Sequence, residues 1–250
     1  MGSSAKTDTA FDLLQRDILS GALPPGTPLR IAALSERYRV SATPLREALS
    51  RLAEKQLAVA APNCGWRVAP VSLEEFADLQ HARLVIETAL VQEAIAHGTL
   101  DWEAGIVAAH YRLAQTGLPV GEADTPETRT RWIEAHDAFH AALLAGSPSI
   151  WLRHFHALTA VQLRRHYQAL LFRPSGQPVQ LSDPHLSAAL SVPRHTALME
   201  AVLSRDPARA IAALDEHIEI TLAIHEQAAG ATDGAGPPRD TTEKRSTERV

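Results

Sequence analysis

His136 and His140 stand four residues apart in "EAHDAFHAALL" (residues 134–144), on a helical stripe shared with Ile133, Leu143 and Leu144. Two imidazoles on one buried face can hold a metal ion, bind an anion, move protons or simply pack. His195 aligns with Leu198, Met199 and Val202, and His217 with Leu214 and Ile224. A lone histidine on an apolar stripe is more often a satisfied core residue than a ligand. Four of them on three helices of one bundle reverse that preference. Buried imidazoles need partners, a divalent cation serves them together, and imidazole suits Zn, Ni, Cu and Fe. Arg83 lies on a stripe with Leu79, Ile86, Leu90 and Ala94, so a guanidinium points into the core, where Glu87 at i+4 offers a plain helix pair. The remaining histidines (His81, His97, His110, His154, His156, His166, His185 and His225) sit alone or near helix ends and read as bland.

The elements that must position these residues are helical. From Ser72 onward nothing reads as strand. Ser72 with Glu75 forms a capping box, and a long helix follows to about His97. Later helix starts fall at Asp101, Thr125-Pro126, Ser149, Pro193 and Asp206-Pro207, each a polar cap or a first-turn proline. Residues 172–184 read as a loop. Six or seven helices are expected in a bundle over residues 73–228, and the polar tail 229–250 is expected to be disordered.

Residues 8–70 read differently. They give a helix over 8–20, a glycine- and proline-rich break, a short helix over 31–38, and a third helix with Ser41 or Thr43 as its cap and Pro44 in its first turn. Two short strands follow around the turn Asn63-Cys64-Gly65. That is a winged helix-turn-helix pattern, so the fold class expected is mainly α, an N-terminal winged helix-turn-helix plus a C-terminal all-α bundle. Residues 1–70 carry nine Lys/Arg against six Asp/Glu, whereas the 250-residue chain has a net charge of −5. A basic front on an acidic body suits a polyanion partner. Ser41, Thr43 and Arg46 on the first turns of the third helix could meet base edges and phosphates. Arg30 and Lys55 could clamp the flanking backbone, and Gly65 with Arg67 would bring the wing close to DNA. The single cysteine, Cys64, excludes an internal disulfide. No apolar run is long enough to span a bilayer, and the first residues lack the apolar core of a signal peptide. A soluble, cytoplasmic protein without a membrane partner is expected.

The stretch "ILSGALPPGTPLRIAALSERYRVSATPLREALSRLAEKQLAVAAPNCGWRVAP" resembles the N-terminal domain of GntR-family transcription regulators, with its "P-G", "V-S-x-T-P-L-R-E-A-L" and "G-x-x-V" landmarks. Arg39 stands where that family usually has a turn glycine, Ala42 where it often has a DNA-contacting arginine, and Cys64 where a basic wing residue is common. The region after Ser72 resembles the FCD effector-binding domain of the FadR-type branch. The resemblance places "HDAFH", "HTALMEA" and "DEHI" at the branch's metal motifs, matching His140, His195 and His217 directly. The branch's aspartate falls at His136, while Asp137 sits about 100° round the helix, pointing elsewhere. The resemblance thus implies a metal site with His140, His195 and His217, and His136 in the aspartate's place would make it four imidazoles, favouring Zn²⁺ or Ni²⁺ over harder ions. The alternative is that metal binding is weakened or lost and the histidines bind the effector directly. "R-x-x-x-E" at Arg83 and Glu87 implies an arginine facing a small carboxylate effector, which a guanidinium can grip through two hydrogen bonds. A ligand-responsive repressor is expected. A single winged helix reads few bases, so a homodimer on a palindromic double-stranded operator is expected. No enzyme is expected, because no glutamate with an evident general-base position accompanies the histidines and a DNA-binding end would be unexplained. A metal-responsive regulator and a histidine-cluster metalloenzyme are the alternatives.

Overall fold

The computed structural model describes residues 2–61, 65–170 and 190–233. Three helices, α1 (Gly2–Leu19), α2 (Ile31–Tyr38) and α3 (Ala42–Glu54), and three short strands, β1 (Pro28–Leu29), β2 (Ala58–Ala61) and β3 (Gly65–Val68), form the N-terminal region. Phe11, Leu14 and Ile18 of α1 meet Leu45, Leu49 and Leu52 of α3 and Leu29, Leu57 and Val68 of the sheet in one core. The sheet is antiparallel with order β1-β3-β2. The strand β1 was not expected from the sequence. It is only two residues long, follows Gly26 in a proline-rich stretch, and is fixed by pairing Pro28 with Arg67 and Leu29 with Trp66. The wing strands pair from Ala58 with Val68 to Ala61 with Gly65. Gly65 has φ +77°, a conformation that favours glycine. Asn63 and Cys64 of the expected turn, and Pro62 before it, lie outside the described residues. Arg39 ends α2 in the left-handed region (φ 57°, ψ 36°), where a non-glycine residue is strained by about 1–2 kcal/mol.

Six α-helices and one short 3₁₀ helix (Gly121–Ala123) make up the rest of the described chain: α4 (Leu73–His97), α5 (Leu100–Gln115), α6 (Pro126–Leu144), α7 (Ile150–Leu170), α8 (Val192–Leu203) and α9 (Pro207–Asp233). Their starts are set locally. The Thr99 hydroxyl accepts from Trp102 N, and Thr125 and Thr128 cap α6 reciprocally with Pro126 in its first turn. Ser72 Oγ accepts from Glu75 N at 3.0 Å, but only half the expected capping box forms, because the Glu75 carboxylate bonds Arg165 instead. Leu90, Trp102, Ile106, Trp132, Phe139, Leu143, Leu198, Val202 and Leu214 pack into a second core. Trp102 Nε1 donates to Ala142 O (3.0 Å) and joins α5 to α6. Gly98 makes room for that indole, since a Cβ there would lie 2.0 Å from a ring carbon of Trp102.

The last helix runs five residues beyond the expected end near 228, into the segment expected to be disordered. The alanine-rich run there favours helix. Residues 234–250 and the expected loop 172–184 lie outside the described residues. No helix among the described residues is long and apolar enough to cross a membrane.

Candidate metal and effector pocket

His136 and His140 project from α6, His195 from α8 and His217 from α9, and one potential ligand atom from each lies within 4.8 Å of the others. The His136 and His140 rings are 4.5 Å apart between centroids, and His136 stacks on Trp132 at 4.8 Å. His217 sits 4.9 Å from both His140 and His195. The helical stripes read from the sequence therefore do converge. His195 Nδ1 donates to Ser191 O at 2.8 Å, which leaves Nε2 as its lone-pair nitrogen. That nitrogen and His140 Nε2 are both buried without a hydrogen-bond partner. Burial first, then the neighbouring His136 and Arg83, pushes the His140 pKa well below the usual imidazole range. Burial does the same for His217, reinforced by His195 and Arg83. For His195, burial and His136 bring the value to about 3. Neutral imidazoles with unpartnered nitrogens are the form that a divalent cation requires, so the donor set fits such an ion.

Beside the cluster, Arg83 is only 5% exposed. Its Nε donates to Glu87 Oε1 (2.8 Å), Nη1 to the Tyr167 hydroxyl (3.2 Å) and Nη2 to His140 Nδ1 (3.2 Å). The same Glu87 oxygen accepts from His156 Nε2 at 2.9 Å. Burial raises the Glu87 pKa, but Arg83 and the bond from His156 outweigh it and hold the carboxyl at about 2. Burial likewise opposes the Arg83 charge, and Glu87 more than restores it. The helix pair and the inward-facing arginine, alternatives in the sequence, are thus both present. A cavity of about 40 Å³ opens here, bounded by Arg83, His136, His140, His156, Thr159 and Tyr167.

Sequence reasoning missed two members. His156 reads as bland, yet it bonds Glu87 across two helices, and Tyr167 was not singled out. The positions 156, 159, 163 and 167 do share one helical face, a signal that the sequence carries. Asp137, expected to point elsewhere, lines the same cavity, with carboxylate oxygens 3.6 Å from His136 Nδ1 and 3.8 Å from Arg164. It is not among the four clustered ligands.

At the other end, Ser41, the N-cap residue of α3, makes no side-chain capping bond. Ser41, Thr43 and Arg46 are exposed, as are Arg30 before α2 and Gly65 at the start of β3. Arg67 is half-buried, with Nη1 3.4 Å from Gly26 O. The Lys55 ammonium lies 5.1 Å from the Phe11 ring centroid, and Arg51 pairs with Asp8 at 2.7 Å over the same ring.

A winged helix with exposed hydroxyl and guanidinium groups on its third helix, joined to a helical body, is the architecture of a DNA-binding transcription regulator. Residues 6–68 match the family model described as bacterial regulatory proteins, gntR family, and residues 78–220 match the FCD domain. The chain belongs to the GntR family of transcriptional regulators and carries an FCD domain, the architecture of the FadR-type branch. It is 34% identical over 216 residues to the HTH-type transcriptional repressor GlaR of Escherichia coli (strain K12), covering 86% of this chain and 93% of that protein. It is 29% identical over 221 residues to the HTH-type transcriptional regulator BphR of Paraburkholderia xenovorans (strain LB400), covering 88% and 85%. Among solved structures, a putative transcriptional regulator GntR from Rhodococcus sp. RHA1 has the same fold, with a TM-score of 0.68 at 21% identity over 91% of this chain and 99% of that one. These families and relatives are transcriptional regulators, not enzymes, so the metalloenzyme alternative falls away.

Proposed function

We propose that this regulator is a repressor whose hold on its operator is set by a small carboxylate bound beside a divalent cation in the histidine pocket. The observation that carries the reading is the pair of buried, unpartnered imidazole nitrogens on His140 and His195, within a cluster of four histidines. His140, His195, His217 and His136 would hold the ion, and four imidazoles favour Zn²⁺ or Ni²⁺. Bound there, the ion would supply positive charge that attracts an anion. An imidazole that ligates through Nε2 carries its hydrogen on Nδ1. His140 then no longer accepts from Arg83, and Arg83 Nη2 becomes available to a carboxylate. The relative GlaR is named a repressor, which supports that sense of control.

A homodimer on a palindromic operator, acting in the cytoplasm, completes the proposal. Ile150, Trp151, Phe155 and Leu158 form an apolar stripe on α7, 47–74% exposed, a surface of the kind that a second copy covers. Two-fold pairing then matches the protein to a palindrome. Ser41, Thr43 and Arg46 would read the major groove, with Arg30, Arg67 and Gly65 against the backbone. A metal-responsive regulator, with the ion itself as effector, is the second reading. The small cavity and the three hydrogen-bonded nitrogens of Arg83 favour it.

Native mass spectrometry should find a dimer with one divalent ion per chain. An ion at ~1,000 times its Kd stabilises the fold by about 4 kcal/mol. Chelation should lower the melting temperature accordingly, and His195→Ala should remove the chelator's effect. A melting temperature insensitive to both overturns the metal site. Operator release by Zn²⁺ or Ni²⁺ alone selects the second reading.

A further inference from the structure

Helix α7 serves both halves of the molecule. One face carries His156, Thr159, Leu163 and Tyr167 on the cavity wall. The opposite face, roughly half a turn away at ~100° per residue, holds the DNA-reading domain. Val161 packs against the winged-helix core, and Gln162 Nε2 donates to Lys55 O (2.6 Å) at the end of α3. Arg165, 2% exposed, donates through Nη1 to the carbonyls of Ala69 (3.0 Å) and Pro70, where the chain leaves β3 for α4. Its Nη2 donates to Glu75 Oε1 (2.8 Å), and His166 Nε2 lies 3.2 Å from the other Glu75 oxygen.

Two further observations describe how α7 is held: largely by polar contacts, and with little share in the apolar core of the body. Among the described residues, every other helix of the body sends fully buried side chains into the second core, while α7 contributes only the partly buried Leu152. On the face toward the winged helix, Arg165 Nε and Gln162 Oε1 are buried without partners. Buried polar groups left unsatisfied mark a stored cost that a second arrangement of the same contacts can relieve. A cavity of about 40 Å³ admits a few atoms at most. A larger occupant must displace part of the wall, and the α7 side of that wall is tied to residues 55 and 69–75.

We propose that Arg165 is a positioning residue that couples occupancy of the histidine pocket to the orientation of the winged helix, with α7 as the rigid rod between them. The coupling rests on the pocket reading above. Hydrogen exchange of the full chain, with EDTA and then with Zn²⁺, tests it. Zn²⁺ should slow exchange in α6, α8 and α9 and also alter it at residues 55–57 and 69–76. Arg165→Gln should keep the first response and reduce the second by roughly fivefold or more. Arg165→Lys, which retains donors for the two carbonyls, should restore part of it. A merely structural Arg165 would loosen residues 69–76 equally in both states and leave the Zn²⁺-dependent difference intact, which overturns the coupling. If Arg165→Gln does not fold, an unaltered response in Arg165→Lys overturns it. Silence in α6, α8 and α9 of the unmodified protein refutes the metal reading alone. Leu163→Phe, which crowds α7 from the pocket side without a ligand, then decides. Exchange at 69–76 that shifts in this variant but not in the double variant with Arg165→Gln supports the coupling, and any other pattern overturns it.

Discussion

In the winged helix, Ser41, Thr43 and Arg46 stand in solvent on a helix whose opposite face holds the core. In the helical body, Arg83, His140, His195 and His217 are each no more than 5% exposed, and the polar cluster adjoins Phe139 and Trp132. Groups placed on the surface leave stability nearly untouched and are free to meet a large, charged partner. Groups placed inside must be held by one another, so anything that binds them also acts on the fold. That is the physical basis for the proposed division between a reader at one end and a responder at the other.

The sharpest break in this contrast is expected at Glu87. Its carboxylate is 2% exposed and balances Arg83, 5% exposed, at 2.8 Å. Glu87→Ala strands a buried guanidinium, and losing one partner of such a pair costs about 3–5 kcal/mol. The ion pair Arg51–Asp8 of the winged helix is 43% and 57% exposed, so Asp8→Asn should cost about 0–1 kcal/mol. Urea midpoints of the two variants should separate clearly. Equal losses would mean that the two regions do not differ in this respect.

Acid should expose the same asymmetry. Residues 1–70 contain no histidine, while burial lowers the pKa values of His140, His195 and His217 in the folded body. Unfolded histidine takes up a proton below about pH 6.5, and the folded groups do so only at lower pH. The unfolded state therefore binds more protons across that window. Stability is fully present above about pH 6.5 and falls with pH by about 1.4 kcal/mol per unit for each histidine that stays neutral. Glu87, held at about 2 against an ordinary 4.5, adds its loss only below about pH 4.5. Chemical denaturation of chelated protein at pH 7, 6 and 5 should show the decline, and His195→Phe should make it shallower. A flat profile would mean that these imidazoles titrate normally.

What was legible in the sequence follows from the range of each interaction. Ser72, Thr125 and Asp206 mark helix starts because a cap is a contact within one turn. The converging histidines were legible because helical periodicity fixes which face they share. Arg39 was legible as a departure from a turn glycine, and its φ of 57° shows why glycine suits the position. His156 was not legible as a site residue because its partner, Glu87, lies 69 positions earlier. Arg165 finds Ala69 over a separation of 96. The strand β1 exists only through its partner β3. Neither local propensity nor periodicity encodes such pairings.

The smallest effect on the fold, with a large one on function, is expected at Arg46. It is exposed on α3, one residue after Leu45 and three before Leu49, both fully buried. Arg46→Ala should leave the melting temperature almost unchanged, since surface substitutions are usually within about 0.5 kcal/mol. Operator binding should still weaken. If Arg46 bonds a base bidentately, the loss is roughly 1–3 kcal/mol and confined to certain sequences. If it meets a phosphate, the loss is smaller, uniform across sequences, and the salt dependence of log K falls by about one unit of slope. Titration of the selected operator and a scrambled duplex at two salt concentrations separates the two cases. Unchanged affinity for both duplexes would remove Arg46 from the interface. A fall in melting temperature as large as that of Glu87→Ala would instead show that the exposed face of α3 is part of what holds the winged helix together, and the contrast between reader and responder would fail at its clearest residue.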